Sequence, residues 1–510
     1  MALTDQIQER FYITTPIYYV NGVPHLGHAY TMVATDAFAR WHKLMGDDVF
    51  FLTGTDEHGL KVAQAAEEQG LSPIDWVDKV SQGFVEAWSK LGIDYDDFIR
   101  TTQKRHYETV SAFMQTIYDN GYIYEGPYEG HYCIPCEAYY LESELLEGAL
   151  CPIHQIEAKV MQESNYFFAL SRLTEDLLSW YRDNPNVAIP ESKRNEALGF
   201  IKGGLEDISI TRTSLRWGVP VPWDPAHVFY VWCDALVNYA TAIGFGVDQE
   251  RFERWWPEVH HVLGKDILRF HLVWWPAMCM AAGVAPPKQL IVHGWLLVGG
   301  EKMAKSRGNK VDPLELVDSF GLDPVRYYLL RETPFGADGD FSYEGLIQRS
   351  NSELSNNYGN LLSRVVAVVV SKLGGVAPSS SRSSAIADEI VSLAKASADA
   401  WQRFMGHEAI EHAIEMIRKT NAYLEANEPW KMSASAELEQ ILGDALEVLR
   451  IVSILLYPAI PTTTEVVWSR IGMAGQVCEQ RTSIALDWGG YPGGARLVKS
   501  EPLFPRLMLD

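Results

Sequence analysis

Cysteine is scarce, with six in 510 residues, too few for a disulfide framework. Long apolar runs are missing as well. The most conspicuous, Val365 to Val370, is far shorter than the roughly 20 residues of a membrane-spanning helix, so no membrane association is expected. The polar stretch Met1 to Arg10 lacks the basic start and apolar core of a secretory signal. A cytoplasmic protein is the expectation. Positive charge is also in deficit: the net charge of −23 disfavours nonspecific binding of a polyanion. The deficit is uneven. Residues 346–510 hold 15 Lys and Arg against 18 Asp and Glu, whereas the first 345 hold 28 against 48. The C-terminal third can therefore accept an RNA without a large global penalty. What remains is ordinary: 47% hydrophobic and 21% charged residues suit a folded chain of two to four domains.

The N-terminal part alternates between strand and helix patterns. Phe11 to Tyr19 reads as a buried strand, the turn Asn21-Gly22-Val23-Pro24 follows, and apolar residues then recur at helical spacing from His28 to Leu44. A second strand is predicted at Asp48 to Thr53 and a later one at Leu290 to His293. Residues 122–222 differ in texture, rich in Tyr, Glu and Gly with clustered cysteines, and read as an insertion. After Phe341 the pattern turns helical, most clearly at Ala387 to Gly406, His407 to Ala426 and Ala436 to Tyr457. The Gly/Pro/Ser-rich stretch Gly374 to Ser384 predicts a mobile connection. An α/β part followed by an all-α part is the predicted architecture.

Three motifs carry chemistry. His25-Leu26-Gly27-His28 falls between a strand and a helix N-terminus, where free N–H groups and the helix dipole favour an anion. Lys302-Met303-Ala304-Lys305-Ser306, flanked by Gly299-Gly300 and Gly308, suits a clamp on polyphosphate. Each alone reads more simply as a capping loop or a solvated turn. The third motif, Cys133-x-x-Cys136 and, fourteen residues on, Cys151-x-x-His154, has the paired soft ligands of a tetrahedral Zn²⁺ site. With all four positions filled by protein, the zinc is expected to be structural. Cys233, Cys279 and Cys478 have no such partners and read as buried thiols.

The first two motifs together resemble the signature pair of class I aminoacyl-tRNA synthetases. Within that class the chain resembles the methionyl-tRNA synthetases along nearly its whole length. The resemblance rests on Thr15-Pro16-Ile17-Tyr18-Tyr19-Val20-Asn21-Gly22, Gly54-Thr55-Asp56-Glu57-His58-Gly59, and Tyr230-Val231-Trp232-Cys233-Asp234-Ala235-Leu236. It continues in Gly264-Lys265-Asp266-Ile267, Phe270-His271, Asn360-Leu361-Leu362-Ser363-Arg364 and Pro429-Trp430. One position departs: Ala304 stands where the family's lysine loop usually has Ser, removing a hydroxyl but neither lysine.

The resemblance implies a Rossmann-type parallel-sheet catalytic domain split between residues 1–121 and 223–298, with a zinc-knuckle connective insertion at 122–222. A lysine-loop and stem-contact region at 299–345 and a helical-bundle anticodon-binding domain at 346–510 complete it. It implies a methionine–tRNA ligase with ATP, Mg²⁺ and structural Zn²⁺, acting on tRNA(Met), initiator tRNA included. His25, His28, Lys302 and Lys305 fall on catalytic positions, and Gly27, Gly264, Asp266, Gly294 and Leu296 complete the ATP site. The methionine pocket maps onto Ile17, Tyr19, Asp56, Trp232, Ala235, Leu236, Tyr239, Ile267, His271 and Trp274. Asp56 matches the carboxylate that holds the α-ammonium, and the aromatic remainder suits an apolar, polarisable side chain. Asn360, Arg364 and Trp430 match the anticodon contacts.

Other readings stay open at this point. Leu, Ile and Val enzymes carry a large editing insertion, and the cysteinyl enzyme keeps its zinc in the pocket. A nucleotidylyltransferase with the same histidine motif needs no helical block, and a non-enzymatic descendant needs neither motif. With no further domain after Leu507-Met508-Leu509-Asp510, a monomer is expected.

Overall fold

The computed structural model describes residues 9–508 except 137, 141–144, 214, 303–309 and 382; the side chains of 128, 129, 136, 138, 139 and 161–163 are likewise outside the description. Its centre is a seven-stranded sheet made of β1 (Arg10–Thr14), β2 (Tyr18–Tyr19), β3 (Asp48–Asp56), β4 (Asp97–Arg100), β5 (Ala188–Ile189), β6 (Val259–Gly264) and β7 (Gln289–His293). All pairings in it are parallel. The order is β4–β3–β1–β6–β7–β5, with β2 continuing β1 along the end of β3. The predicted strand from Phe11 to Tyr19 is thus two pieces, interrupted at Thr15 to Ile17.

Alternation sorts the central strands between two cores. Phe11 and Ile13 of β1, Val262 of β6 and Ile291 of β7 face one. Tyr12, Leu263, Leu290 and Val292 face the other. The first core is closed by helix α1 (Leu26–Met45), which ends at Gly46 with φ 100° and its N–H on the carbonyls of His42 and Lys43. Helix α1 is buried on nearly every side because the helical region packs on its outer face.

One polar node joins the two. Arg326 and Asp36, both fully buried, pair at 2.5 Å. Arg326 also donates to the carbonyls of Leu91, Pro458 and Ala459. Arg40 donates to Asp36 and to the Tyr457 hydroxyl. Burial alone pushes Asp36 up, but the Arg40 and Arg326 guanidiniums hold its carboxyl below the usual range. Removing one partner of such a pair costs about 3–5 kcal/mol, because a buried charge is stranded.

Within residues 122–222, Ile123–Cys133 pairs antiparallel with Lys159–Phe168 in a ribbon that carries the cysteine turns, and the helices Thr174–Asp183 and Glu191–Lys202 follow it. Ala188–Ile189, also within residues 122–222, returns to the main sheet beside β7. The three long predicted helices lie at Ala387–Gln402, Gly406–Asn427 and Ala436–Leu456. In Asn360–Lys372, Val365, Val366, Val368 and Val369 form the buried face.

The connection at Gly374 to Ser384 departs from the expectation of a mobile linker. Ala377 donates to the Ala495 carbonyl, accepts from Gly494 N–H, and Ser380 N–H reaches the Tyr491 carbonyl. The C-terminal segment supplies the partners that composition alone does not reveal. Among the described residues no helix is long and apolar enough to cross a membrane.

Candidate active site

The carboxyl ends of β1, β3, β6 and β7 open onto one cleft of 1180 Å³, where a doubly wound sheet places its ligands. Its walls include His25, Gly27, His28, Ile17, Tyr19, Asp56, Trp232, Ala235, Leu236, Tyr239, Gly264, Asp266, Ile267, His271, Gly294, Leu296 and Lys302. Most predicted methionine and ATP residues, distant in sequence, therefore share one cavity. Lys305, with Met303, Ala304, Ser306 and Gly308, lies outside the described residues.

The two motif histidines cap α1. Gly27 N–H donates to His25 Nδ1 at 3.1 Å, and His25 N–H donates to His28 Nδ1 at 3.3 Å. Their rings stack with centroids 3.7 Å apart. With both Nδ1 atoms accepting, each ring carries its proton on Nε2 and keeps an N–H donor there. Desolvation, with Lys310 nearby, lowers His25 to about 4. Desolvation and the His25 ring lower His28 well below the usual histidine value. Both are neutral donors at pH 7.

Asp56 ends β3 and is 3% exposed. Opposite it, Trp232 stacks on Phe270 at 3.9 Å and 5°. Residues Phe270–Trp274 form a π-helical turn, a widening often found at functional sites. It brings both Phe270 and His271 to the cleft. Tyr239 hydroxyl donates to His271 Nε2 at 2.7 Å, while His271 Nδ1 donates to the Ile267 carbonyl at 3.1 Å. Desolvation lowers His271 to about 4. The polar atoms of the pair are engaged, which leaves the two rings to meet a ligand mainly with their faces.

Trp274, also expected in the pocket, is not among the residues that line the cleft and packs edge-on against Phe270, at 4.7 Å and 85°.

Elsewhere on the cleft, Lys302 Nζ lies 3.4 Å from Asp266 and 4.3 Å from the Trp295 ring centroid. Lys265 Nζ approaches the same ring at 4.1 Å and pairs with Asp338 at 2.6 Å. Gly294 has a packing reason beside any ligand role: a Cβ there would fall 2.1 Å from the Ala337 carbonyl oxygen. Sequence reasoning missed Trp295, Phe270 and Lys61 as cleft residues. Lys61 lies 5.4 Å from the Tyr19 ring centroid and donates to the Pro135 carbonyl at 3.5 Å. Phe270 stands inside a quoted motif, Trp295 between Gly294 and Leu296, and Lys61 two residues past Gly59.

The ligand atoms of Cys133, Cys151 and His154 lie within 4.8 Å of one another. His154 Nδ1 is 3.9 Å from Cys133 Sγ and 4.0 Å from Cys151 Sγ. Edges of about 3.5–3.8 Å follow from tetrahedral Zn–S and Zn–N bonds, so this donor set fits zinc with small adjustment. The Cys136 side chain lies outside the description, although its backbone follows Cys133 in a single turn. His154 also reaches the rim of the cleft. Cys233 and Cys279 are buried as expected, whereas Cys478 is only half-buried.

In the helical region, Asn360 and Arg364 are one turn apart on Asn360–Lys372. The Arg364 guanidinium covers the Trp430 ring at 4.6 Å and pairs with Glu425 at 2.7 Å. Asn360 lines a small polar pocket with Ser355, Asn356, Ser363 and Phe504.

A parallel sheet whose first turn carries the paired histidines, whose last strands lead into the lysine loop, and whose helical region follows is the build of a class I aminoacyl-tRNA synthetase. The family described as tRNA synthetases class I (M) matches residues 11–159 and 141–366. A methionine–tRNA ligase of Streptomyces coelicolor is 46% identical over 520 residues, covering 98% of this chain and 96% of its own length. That of Thermotoga maritima is 42% identical over 508 residues, covering 98% and 80%. The Mycobacterium tuberculosis methionyl-tRNA synthetase in complex with methionyl-adenylate superposes with a TM-score of 0.92 at 39% identity, covering 98% of this chain and 100% of that one. The chain belongs to the methionyl-tRNA synthetases.

Proposed function

We propose that this chain joins L-methionine to tRNA(Met), initiator tRNA included, in two steps through methionyl-adenylate. The carrying observation is the polarity of a single cleft. An apolar aromatic set with the Asp56 carboxylate and the His25–His28 pair with Lys302 all line it. Asp56 receives the α-ammonium, while Trp232, Ala235, Leu236, Tyr239 and Ile267 enclose the thioether. The methionine carboxylate attacks the α-phosphorus of ATP, a new O–P bond forms, and pyrophosphate leaves with the bonding pair. The nucleophile is already ionised, so positioning and charge stabilisation supply the catalysis.

His25 and His28 donate Nε2–H to the phosphates, Lys302 and Lys305 neutralise the departing pyrophosphate, and Asp266 receives the ribose. Gly27, Gly264, Gly294 and Leu296 leave room for the nucleotide. Mg²⁺ accompanies ATP. The tRNA's terminal ribose hydroxyl then attacks the adenylate carbonyl and expels AMP. Asn360, Arg364 and Trp430 read the anticodon, the tryptophan taking a base where the Arg364 guanidinium now lies.

ATP–pyrophosphate exchange, run without tRNA across a panel of amino acids, tests this reading. Methionine alone is expected to drive it. Exchange with a different amino acid overturns the pocket, and none at all in folded protein overturns the activity.

Cys133, Cys136, Cys151 and His154 hold one structural Zn²⁺ that shapes the insertion. The Cys133, Cys151 and His154 donor distances support this. Metal analysis is expected to find about one zinc per chain, and Cys151→Ser to lose most of it, since a ligand change typically costs tenfold or more in affinity. The protein acts in the cytoplasm as a monomer. Light scattering at micromolar concentration checks the latter, and a stable dimer overturns it.

A further inference from the structure

Behind the cleft lies a buried polar cluster that the reaction above does not use. Asp234 is fully buried. Its Oδ2 lies 2.6 Å from His58 Nδ1 and its Oδ1 2.6 Å from His106 Nε2. The Tyr107 hydroxyl meets His58 Nε2 at 2.9 Å, and Thr241 Oγ1 meets His106 Nδ1 at 3.1 Å. His58 and His106 are buried as well. Burial pushes Asp234 up, but His58 and His106 pull it down to about 2. None of these four partners, nor Asp234, lines the cleft.

Their places in the chain give the cluster its meaning. His58 is two residues beyond Asp56, in the loop that leaves β3. Asp234 lies in the short helix Val231–Ala235, between Trp232 and Ala235. His106 belongs to Lys104–Asp119 and braces the arrangement from behind. One carboxylate therefore ties the ammonium end of the pocket to its thioether wall.

We propose that Asp234 is a positioning residue for methionine: gripped by His58 and His106, it fixes the Asp56 loop and the Trp232–Leu236 wall at the separation the amino acid spans. This rests on the assignment of Asp56 and that wall under the proposed function. Each oxygen serves one imidazole, so the proposed role rests on the geometry of the two contacts. In Asp234→Asn the amide nitrogen can face either ring, because an imidazole that shifts its proton to the other nitrogen becomes the acceptor. Asp234→Leu keeps the bulk and leaves both rings without their partner.

The test is pyrophosphate exchange with methionine and ATP varied separately. In Asp234→Leu the KM for methionine is expected to rise about tenfold or more, with kcat and the KM for ATP within about threefold. Asp234→Asn is expected to stay within about threefold of the parent throughout. His58→Leu, which severs only the Asp56 side, is expected to raise the methionine KM similarly. Combining it with Asp234→Leu is expected to add little, as for residues acting as one unit. If Asp234→Leu lacks a native near-ultraviolet circular dichroism spectrum, His58→Leu carries the test.

An unchanged methionine KM in the folded variants overturns the proposal. Equal rises for methionine and ATP do so too, since they indicate general loosening. Asp56→Asn separates the two levels of argument. If it raises the methionine KM while Asp234→Leu and His58→Leu do not, only the positioning role fails. If it too leaves that KM unchanged, the pocket assignment fails.

Discussion

Asp56→Asn is expected to lower kcat/KM for methionine in pyrophosphate exchange by about 10²–10³, roughly 3–4 kcal/mol of transition-state binding. The size follows from where the carboxylate sits. Asp56 closes a buried parallel strand and is 3% exposed, so water cannot replace it as the partner of an ammonium. An amide keeps the shape but contributes no charge, and a charge-assisted hydrogen bond is about twice as strong as a neutral one. The ammonium enters the cleft regardless, and its uncompensated desolvation forms the larger part of the loss. The KM for ATP is expected to change by less than about threefold, because the proposed ATP contacts do not include Asp56. Equilibrium dialysis with methionine alone checks the assignment. Unchanged binding in the variant would place the ammonium elsewhere.

The second large effect belongs to His28. His28→Ala is expected to cost about 10²–10³ in the kcat of exchange, the usual effect of deleting one preorganised donor to developing charge. Binding of methionine alone is expected to stay within about twofold, since the ring faces the phosphate end. A pH profile adds an independent check. Desolvation keeps His25 down at about 4 and His28 well below its ordinary value. Their neutral, Nε2–H forms therefore persist from pH 8 to about 5. Only as the pH falls towards 4 does His25 Nδ1 gain a proton and stop accepting Gly27 N–H. Rates from folded protein should show no histidine step between pH 6 and 8 from this pair. A step there that vanishes in His28→Ala refutes the neutral-donor assignment.

The features legible in sequence were those encoded locally. The alternation in Phe11 to Thr14, the Gly/Pro turn and the His-x-Gly-His cap lie within one strand–turn–helix, and the observed elements follow that reading closely. Paired cysteine turns are equally local, and Cys133, Cys151 and His154 do converge. The errors came where distant chain decides. The stretch at Gly374 to Ser384 has a linker's composition, yet its amides and carbonyls are engaged by residues 491–495, more than a hundred positions away. Nor does any residue pattern in Phe270 to Trp274 announce the π-helical turn observed there. Trp295 escaped notice because an aromatic beside a glycine reads as core until two lysines are found against its ring.

Helix α1 begins at the two motif histidines, and a few turns on it is bolted to Arg326, whose other acceptors include the carbonyls of Pro458 and Ala459. That makes it a lever shared between the two halves of the molecule. A fragment cut near residue 345 keeps both signature motifs but strands Arg326 and Arg40 without the acceptors that residues 457–459 provide. Melting should therefore be a single cooperative event, with the catalytic sheet and the helical region losing structure together. A displacement of residues 457–459 would act on Arg326 and Arg40 and, through Asp36, on the helix that begins at His25 and His28.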